Sequence, residues 1–430
     1  MFVQDYHLPC EGMDEAHEDS GKKLPAELTD AILDQLRGDK STLLNCAVVC
    51  SSWLQTSRYH LFHTLRIDNS KPSRSFSDFV AFIRGSPHIC AYIHSLSLQG
   101  NGTDAIPGIG PILLSQILRE LPSLCDLELD NVIWERATGF REDSEPCSLT
   151  SWPLKRPCNS LLLRRLRSCA TGGRTCLIND IFDVLSTFSS LKSFTLERIT
   201  YSRSIEPPAA DGDSRVRLEQ LDISTASEHG TLPEQLFFNA LRARVCLDTL
   251  SNVNLRCSHG EHAQLIGSFL RDVNPTNLTL DLSHMDQLAA VGNESIWSSL
   301  GLASLTSLKS LSLHVWTSGT HLYGDVFTFV GQWCLCSVLP ILSHISPTVE
   351  RVTIILSISG DPSHLRGHLE QFDWQRLLNE FNRLTALEAV VFEIRQRLNV
   401  SVGDEATSTV AALVETKLSA LVASGVLEVI

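Results

Sequence analysis

The apolar positions of this chain follow two periods, and the change between them falls near residue 68. From Leu24 to Ile67 the spacing is helical. Leu28, Ile32 and Leu36 recur every four residues and share one helix face. Pro25 suits a first turn and Gly38 a stop. A second helix is expected to start from an N-cap at Ser41 and to carry Leu43, Cys46, Val49, Cys50 and Trp53 as one apolar stripe about 100° wide. A unit of roughly 40 residues can barely bury a core of its own, so so dense a stripe calls for a partner surface.

Beyond that point the pattern alternates between strand and helix periods. Residues 76 to 100 predict a helix carrying Phe76, Phe79, Val80 and Ile83, a turn at Gly85 to Pro87, and a strand at Leu96 to Leu98. One phrase then returns in the same phase: LPSLCDLEL from 121, FSSLKSFTL from 188, LTSLKSLSL from 305 and LTALEAVVF from 384, with apolar residues at relative positions 1, 4, 7 and 9. Helix-period segments such as PILLSQILREL and INDIFDVLSTF lie between them. Strands about 25 to 40 residues apart with helices between predict an α/β fold, an irregular leucine-rich-repeat-like solenoid with a curved parallel sheet and helices on its convex side. Thr138 to Ser160 and Ser202 to Ser214, rich in proline, are expected as surface loops. The expected division is an acidic arm over 1–22, the helical unit over 23–67 and the repeats over 68–430.

In such an array each LxL triplet sends its outer residues into the core and its middle one to solvent. The middle residues are Ser97, Glu128, Thr195, Asp222, Asn254, Asp281, Ser312 and Thr353, all polar. Glu128, Asp222 and Asp281, with Asn254, predict a groove for a basic or hydrogen-bonding protein substrate, and Trp134 and Trp316, just past strand ends, are candidate anchors or, equally, caps on the core.

Charge narrows the partners. The 430 residues hold 35 Lys and Arg against 49 Asp and Glu, a formal charge of -14 that disfavours a phosphate backbone, so nucleic acid is not expected. The first residues have no basic region followed by an apolar run, and the 13 cysteines, odd in number and irregularly spaced, suit a reducing compartment, cytoplasmic or nuclear. The uncharged run from Val326 to Ser343 predicts a buried helix ending near Pro340 rather than a membrane span.

Metal and catalytic motifs do not assemble. Cys46 and Cys50 supply a pair among apolar neighbours, short of the four ligands a structural zinc needs. Cys257, His259 and His262 offer three within six residues, where exposed polar residues at a strand exit are ordinary. Gly21-Lys22-Lys23 lacks the hydroxyl of a phosphate loop, and the glycines from 100 to 110 fit no dinucleotide spacing. Arg164, Arg165, Arg167 and Arg174 form a basic group that reads as a solvated strand edge, with binding of phosphate or an acidic partner as the other reading. Neither a cofactor nor a metal is expected, and no catalytic set is evident.

Leu24, Pro25, Glu27, Ile32, Leu33 and Leu36, followed by Leu43, Val49, Cys50 and Trp53, resemble the F-box motif from LPAE through VVCSSW, and the continuation into irregular repeats is similar to fungal F-box substrate receptors. The resemblance implies a non-catalytic substrate receptor of an SCF-type cullin-RING ubiquitin ligase. Its F-box would dock on a Skp-type adaptor, and through it a cullin, while the repeats hold the protein to be ubiquitinated. Leu24 and Pro25 would enter the adaptor groove, with Leu28, Ile32, Leu36, Val49, Cys50 and Trp53 forming the surrounding contact and the small core. Where many F-boxes place a proline between helices, this chain has Arg37 to Thr42. The alternative is a scaffold that uses the same surfaces without ubiquitination.

Overall fold

A computed structural model of the chain describes residues 25–69, 75–100, 108–135, 156–171, 175–202, 215–224, 231–257, 260–282, 294–319, 337–360, 362–396 and 404–430. It divides into two compact units, Met1–His63 and Thr64–Ile430. The boundary precedes residue 68 because Thr64–Asp68 is already a strand of the second unit, paired with Ser95–Gln99.

The first unit has three helices, α1 (Ala26–Gln35), α2 (Lys40–Val49) and α3 (Ser51–Phe62). Asp39, not Ser41, caps α2: its carboxylate accepts from the backbone N–H groups of Ser41 and Thr42 and from both hydroxyls, which hold its pKa down at about 2. The expected single second helix is two. Cys50 is extended, with φ -160° and ψ 164°, and α3 starts at Ser51. Consecutive serines compete for backbone hydrogen bonds and favour a helix start over an interior, so Trp53 belongs to α3.

Leu33, Leu43, Cys46 and Leu61 form the unit's core, with Leu36, Leu44, Ala47, Trp53 and Phe62 packed around it. Asp34 and Asp30 of α1 tie to α3 through His60 at 2.8 Å and Thr56 at 2.5 Å. The expected stripe of Leu28, Ile32 and Leu36 is thus a row beside the core, and Leu33 is the residue of α1 driven into it.

The second unit is α/β. Its strands are β1 (Thr64–Asp68), β2 (Ser95–Gln99), β3 (Asp126–Asp130), β4 (Arg156–Arg164), β5 (Phe188–Glu197), β6 (Val216–Ser224), β7 (Asn252–Arg256), β8 (Asn277–Asp281), β9 (Ser310–Gly319), β10 (Arg351–Gly360), β11 (Ala389–Gln396) and β12 (Leu427–Val429). They pair in parallel in chain order, and a short strand, Val245–Cys246, adds to β6. β4 occupies part of the stretch expected as a loop: SLLLR lacks the alternation that marks the other strands. Residues 203–214 and 320–336, where the second loop and most of the uncharged run were expected, lie outside the described residues.

Helices α4 (Phe76–Gly85), α5 (Pro111–Glu120), α6 (Ile178–Leu185), α7 (Thr231–Arg244), α8 (Gly260–Val273), α9 (Glu294–Ser299), α10 (Val338–Ser343), α11 (Pro362–Glu370), α12 (Trp374–Arg383) and α13 (Asp404–Lys417) fill the crossovers. Their ends are set locally. Ser75 and Asp78 form a reciprocal capping box at α4, Pro111 takes the first position of α5, and Asp373 caps α12. Pro340 lies near the start of α10 and does not end it, which its missing N–H permits. Among the described residues no helix is long and apolar enough to cross a membrane.

The repeated phrase is the core. Leu121, Leu124, Leu127 and Leu129 are buried, as are Phe188, Leu191, Phe194 and Leu196, and Leu305, Leu308, Leu311 and Leu313. In the last copy Leu384, Val390 and Phe392 are buried and Leu387 half-buried. Successive helices pack side by side: α4 on α5, α6 on α7, α7 on α8, α8 on α9, α9 on α10 and α10 on α12.

Candidate functional site

Two surfaces emerge, one in each unit. In the helical unit Leu28 and Ile32 of α1 and Val48 and Val49 at the end of α2 are exposed, at 53%, 45%, 76% and 64%. Pro25 and Cys50 are exposed as well. The Cys50 thiol is held below its ordinary pKa, first by a hydrogen bond with the Ser52 hydroxyl at 3.0 Å and then by the backbone of Trp53. Leu36 and Trp53 are partly spent on the unit's own core, and Leu24 lies outside the described residues. Of the expected contact set, the exposed apolar members are Leu28, Ile32 and Val49; Val48 joins them.

In the sheet unit the strand register aligns the outward positions into rows. One row runs Ser97, Glu128, Leu162, Thr195, Asp222, Asn254, Thr279, Ser312, Thr353. Seven of the eight expected positions fall in it. Asp281 does not: NLTLDL contains two overlapping LxL triplets, and pairing selects Leu278-Thr279-Leu280. Leu162 of β4 enters the row as an apolar member that alternation could not reveal.

Asp281 instead belongs to the next row, where charged side chains follow one another. Arg164 reaches Glu197 at 2.7 Å and Glu128 at 3.2 Å, and the Glu197 hydrogen bond raises its pKa. Asp281 faces Arg256 at 3.8 Å and His314 at 3.6 Å. The basic group is therefore no solvated edge in its first two members: Arg164 neutralises Glu128, one of the carboxylates expected to attract a partner, and Arg165 pairs with Asp130. Arg174 lies outside the described residues.

Asp222 differs from Glu128 and Asp281. Asn254 hydrogen-bonds it, while burial pushes its pKa up, and Glu197 and Asp281 push the same way. Its Oδ1 is buried without a hydrogen-bond partner. Trp134 is fully buried in the short strand Ile133–Trp134, so it is core and no anchor. Trp316 stays half-buried on β9, beside Ser357 of β10 in register.

Among the described residues no three His, Cys, Asp or Glu side chains group as a metal site. Cys257 and His262 are both buried, His262 against the Phe238 ring at 6.3 Å; His259 lies outside the described residues. Residues missed from sequence are Arg256, His314, Ser357 and Arg395. For His314 and Ser357 the signal was present in the outward alternation of LHVW and LSIS, beyond the LxL triplets of the same strands. Compared with known proteins, the chain matches no family model and no curated sequence.

Proposed function

We propose that the chain is the substrate-recognition subunit of an SCF-type cullin-RING ubiquitin ligase, its helical unit an F-box that docks on a Skp-type adaptor and its sheet unit an irregular leucine-rich-repeat solenoid that binds a protein substrate. The reading is carried by the exposure of Leu28, Ile32, Val48 and Val49 on a unit whose core is built by Leu33, Leu43, Cys46 and Leu61. Aliphatic side chains left outside a complete core mark surfaces that are covered by association.

The function needs no reacting group in this chain. A receptor raises the local concentration of a substrate lysine beside ubiquitin activated on another subunit, and proximity supplies the acceleration. The polar rows of the sheet suit recognition by hydrogen bonds. Glu128 and Asp281 stand beside arginines, so a partner meets a face whose charges largely cancel, and selectivity rests on geometry.

Affinity capture of the tagged full chain tests this. The wild-type chain brings down a Skp-type adaptor and a cullin; the double substitution Leu28→Glu and Ile32→Glu loses both while leaving the unfolding free energy within about 0.5 kcal/mol of wild type. Capture of neither partner by the wild-type chain refutes the reading. Capture without any client whose lifetime changes on depletion favours the scaffold.

A further inference from the structure

Three consecutive strands place a serine, a histidine and an aspartate together. Asp281 of β8 and His314 of β9 are register partners. Ser357 of β10 stands two residues beyond Ile355, the register partner of His314. All three side chains leave the same side of the sheet, since alternate residues share a face. His314 Nε2 lies 2.7 Å from Ser357 Oγ, and its Nδ1 lies 3.6 Å from Asp281 Oδ1. One ring nitrogen thus meets a hydroxyl and the other faces a carboxylate.

We propose that Ser357, His314 and Asp281 act as nucleophile, base and orienting carboxylate, and that this part of the face takes a carboxylic ester. The order of the three along the chain is immaterial, because such sets are recognised by geometry. The proposal goes beyond partner recognition, which requires none of these contacts.

The surroundings fit the task. Burial holds His314 below the ordinary imidazole pKa, so the ring is neutral at pH 7 and able to accept a proton. The charged groups facing it are Asp281 and Glu393, which favour its protonated form, and Arg395 and Arg256, which oppose it. Asp281 favours the tautomer with the proton on Nδ1, leaving Nε2 to accept from the hydroxyl. The 3.6 Å separation exceeds a hydrogen bond, and such contacts commonly tighten only when substrate binds. Arg395 is the register partner of Ser357 on β11; its Nε bonds Glu393 at 2.5 Å, and its remaining guanidinium N–H groups are of the kind that stabilise an oxyanion. Trp316, the register partner on β9, offers an apolar wall for the acyl or alcohol portion.

In the reaction Ser357 Oγ bonds to the carbonyl carbon as its proton passes to His314 Nε2. The bond to the alcohol oxygen then breaks, and the departing alkoxide takes that proton. Water, giving a proton to the same nitrogen, attacks the acyl carbon; the bond to Oγ breaks, the proton returns to the serine, and the free acid leaves.

The test uses the purified full chain with a fluorophosphonate probe, whose phosphorus bonds to a reactive serine oxygen as fluoride leaves, and maps the modified peptide by mass spectrometry. The expected result is labelling of Ser357 about a hundredfold faster than Ser312, a half-buried serine of β9 on the same face of the sheet. The rate rises with pH through a midpoint below 6.5, the ordinary imidazole value. His314→Ala abolishes labelling, Asp281→Asn slows it about tenfold or more and moves the midpoint, and Ser357→Ala removes hydrolysis of p-nitrophenyl acetate above the buffer rate. Wild-type labelling at Ser357 no faster than at Ser312 overturns the proposal irrespective of how any variant folds. So does labelling that persists in His314→Ala. Adaptor capture is read separately, so failure here leaves the receptor reading standing.

Discussion

Arg165 holds Asp130 with three hydrogen bonds, Nε and Nη2 to Oδ1 at 3.0 and 2.7 Å and Nη2 to Oδ2 at 2.8 Å, and does so from a left-handed backbone with φ +50°. The Asp130 side chain is nearly buried at 5% exposure, and this ion pair, helped by the Gln99 amide at 3.3 Å and Arg164 at 4.0 Å, offsets the cost of placing a carboxylate there. The conformation is shared: Asn131, Arg165 and Arg198 directly follow β3, β5's neighbour β4, and β5, with φ of 55°, 50° and 52°. Each strand leaves the sheet by the same left-handed step.

Two glycine substitutions separate the backbone from the ion pair. Arg198→Gly removes the side-chain clash at an exposed position and is expected to stabilise by about 0.5 to 1 kcal/mol. Arg165→Gly relieves the same strain but leaves Asp130 only the Gln99 amide at 3.3 Å and Arg164 at 4.0 Å, and is expected to destabilise by about 2 kcal/mol. Urea unfolding of the two proteins checks the opposite signs.

Arg156 is half-buried and hydrogen-bonds to four carbonyls at the end of α5 and the turn after it: Leu118 at 2.8 Å, Leu121 at 2.7 Å, Pro122 at 3.2 Å and Leu124 at 2.6 Å. Helix ends leave carbonyls without partners, and here one guanidinium satisfies them. Arg156→Met keeps the apolar stem and loses the donors; a loss of about 2 kcal/mol is expected, measured as a lower denaturation midpoint. Lysine, with a single ammonium, is expected to recover less than half.

Asp222 sets a pH dependence. Its folded pKa is raised, so its contribution is fully present below the unfolded value of about 3.9 and declines as pH rises through the folded value. Asp222→Asn removes the charge that burial opposes. It is expected to stabilise by about 1 kcal/mol at pH 7 and by nothing at pH 3.5. Equal effects at both pH values would show that the carboxylate's charge is not the cause.

Gly267 lets α8 and α9 touch: a Cβ there would stand 2.1 Å from the Ser299 carbonyl oxygen and 2.7 Å from the Leu300 Cα. Gly267→Ala must push two helices apart and is expected to cost about 1 to 3 kcal/mol despite alanine's better helix propensity. Circular dichroism melting gives the sign directly.

The strand phrase was readable because its leucines obey one phase: Leu121, Leu124, Leu127 and Leu129 are buried as the spacing requires. β4 was not readable, since Leu161, Leu162 and Leu163 in succession carry no alternation and only the neighbours' pairing makes Leu162 an outward residue. The helical unit shows the complementary failure. Its stripe assumed continuous helix through Cys50, whereas the chain turns there, and a single break rotates every later residue to a new face. Charge was harder still. Glu128 and Arg164 are register neighbours only diagonally, on strands separated by a segment of unpredicted length, so composition could count the acids but could not see them matched. His314 and Ser357 are 43 residues apart and meet only through the register.

Because the strands pair in chain order, each crossover segment answers mainly to the one before it and the one after. Damage to one strand is then felt by its two neighbours and fades beyond them. Such a sheet is expected to unzip in stages, with hydrogen exchange fastest at β1 and β12 and slowest in the middle, where Asp222 and Asn254 sit. The rows of side chains on its face would come apart in the same sequence, ends first, leaving the central strands as the last part able to hold a partner.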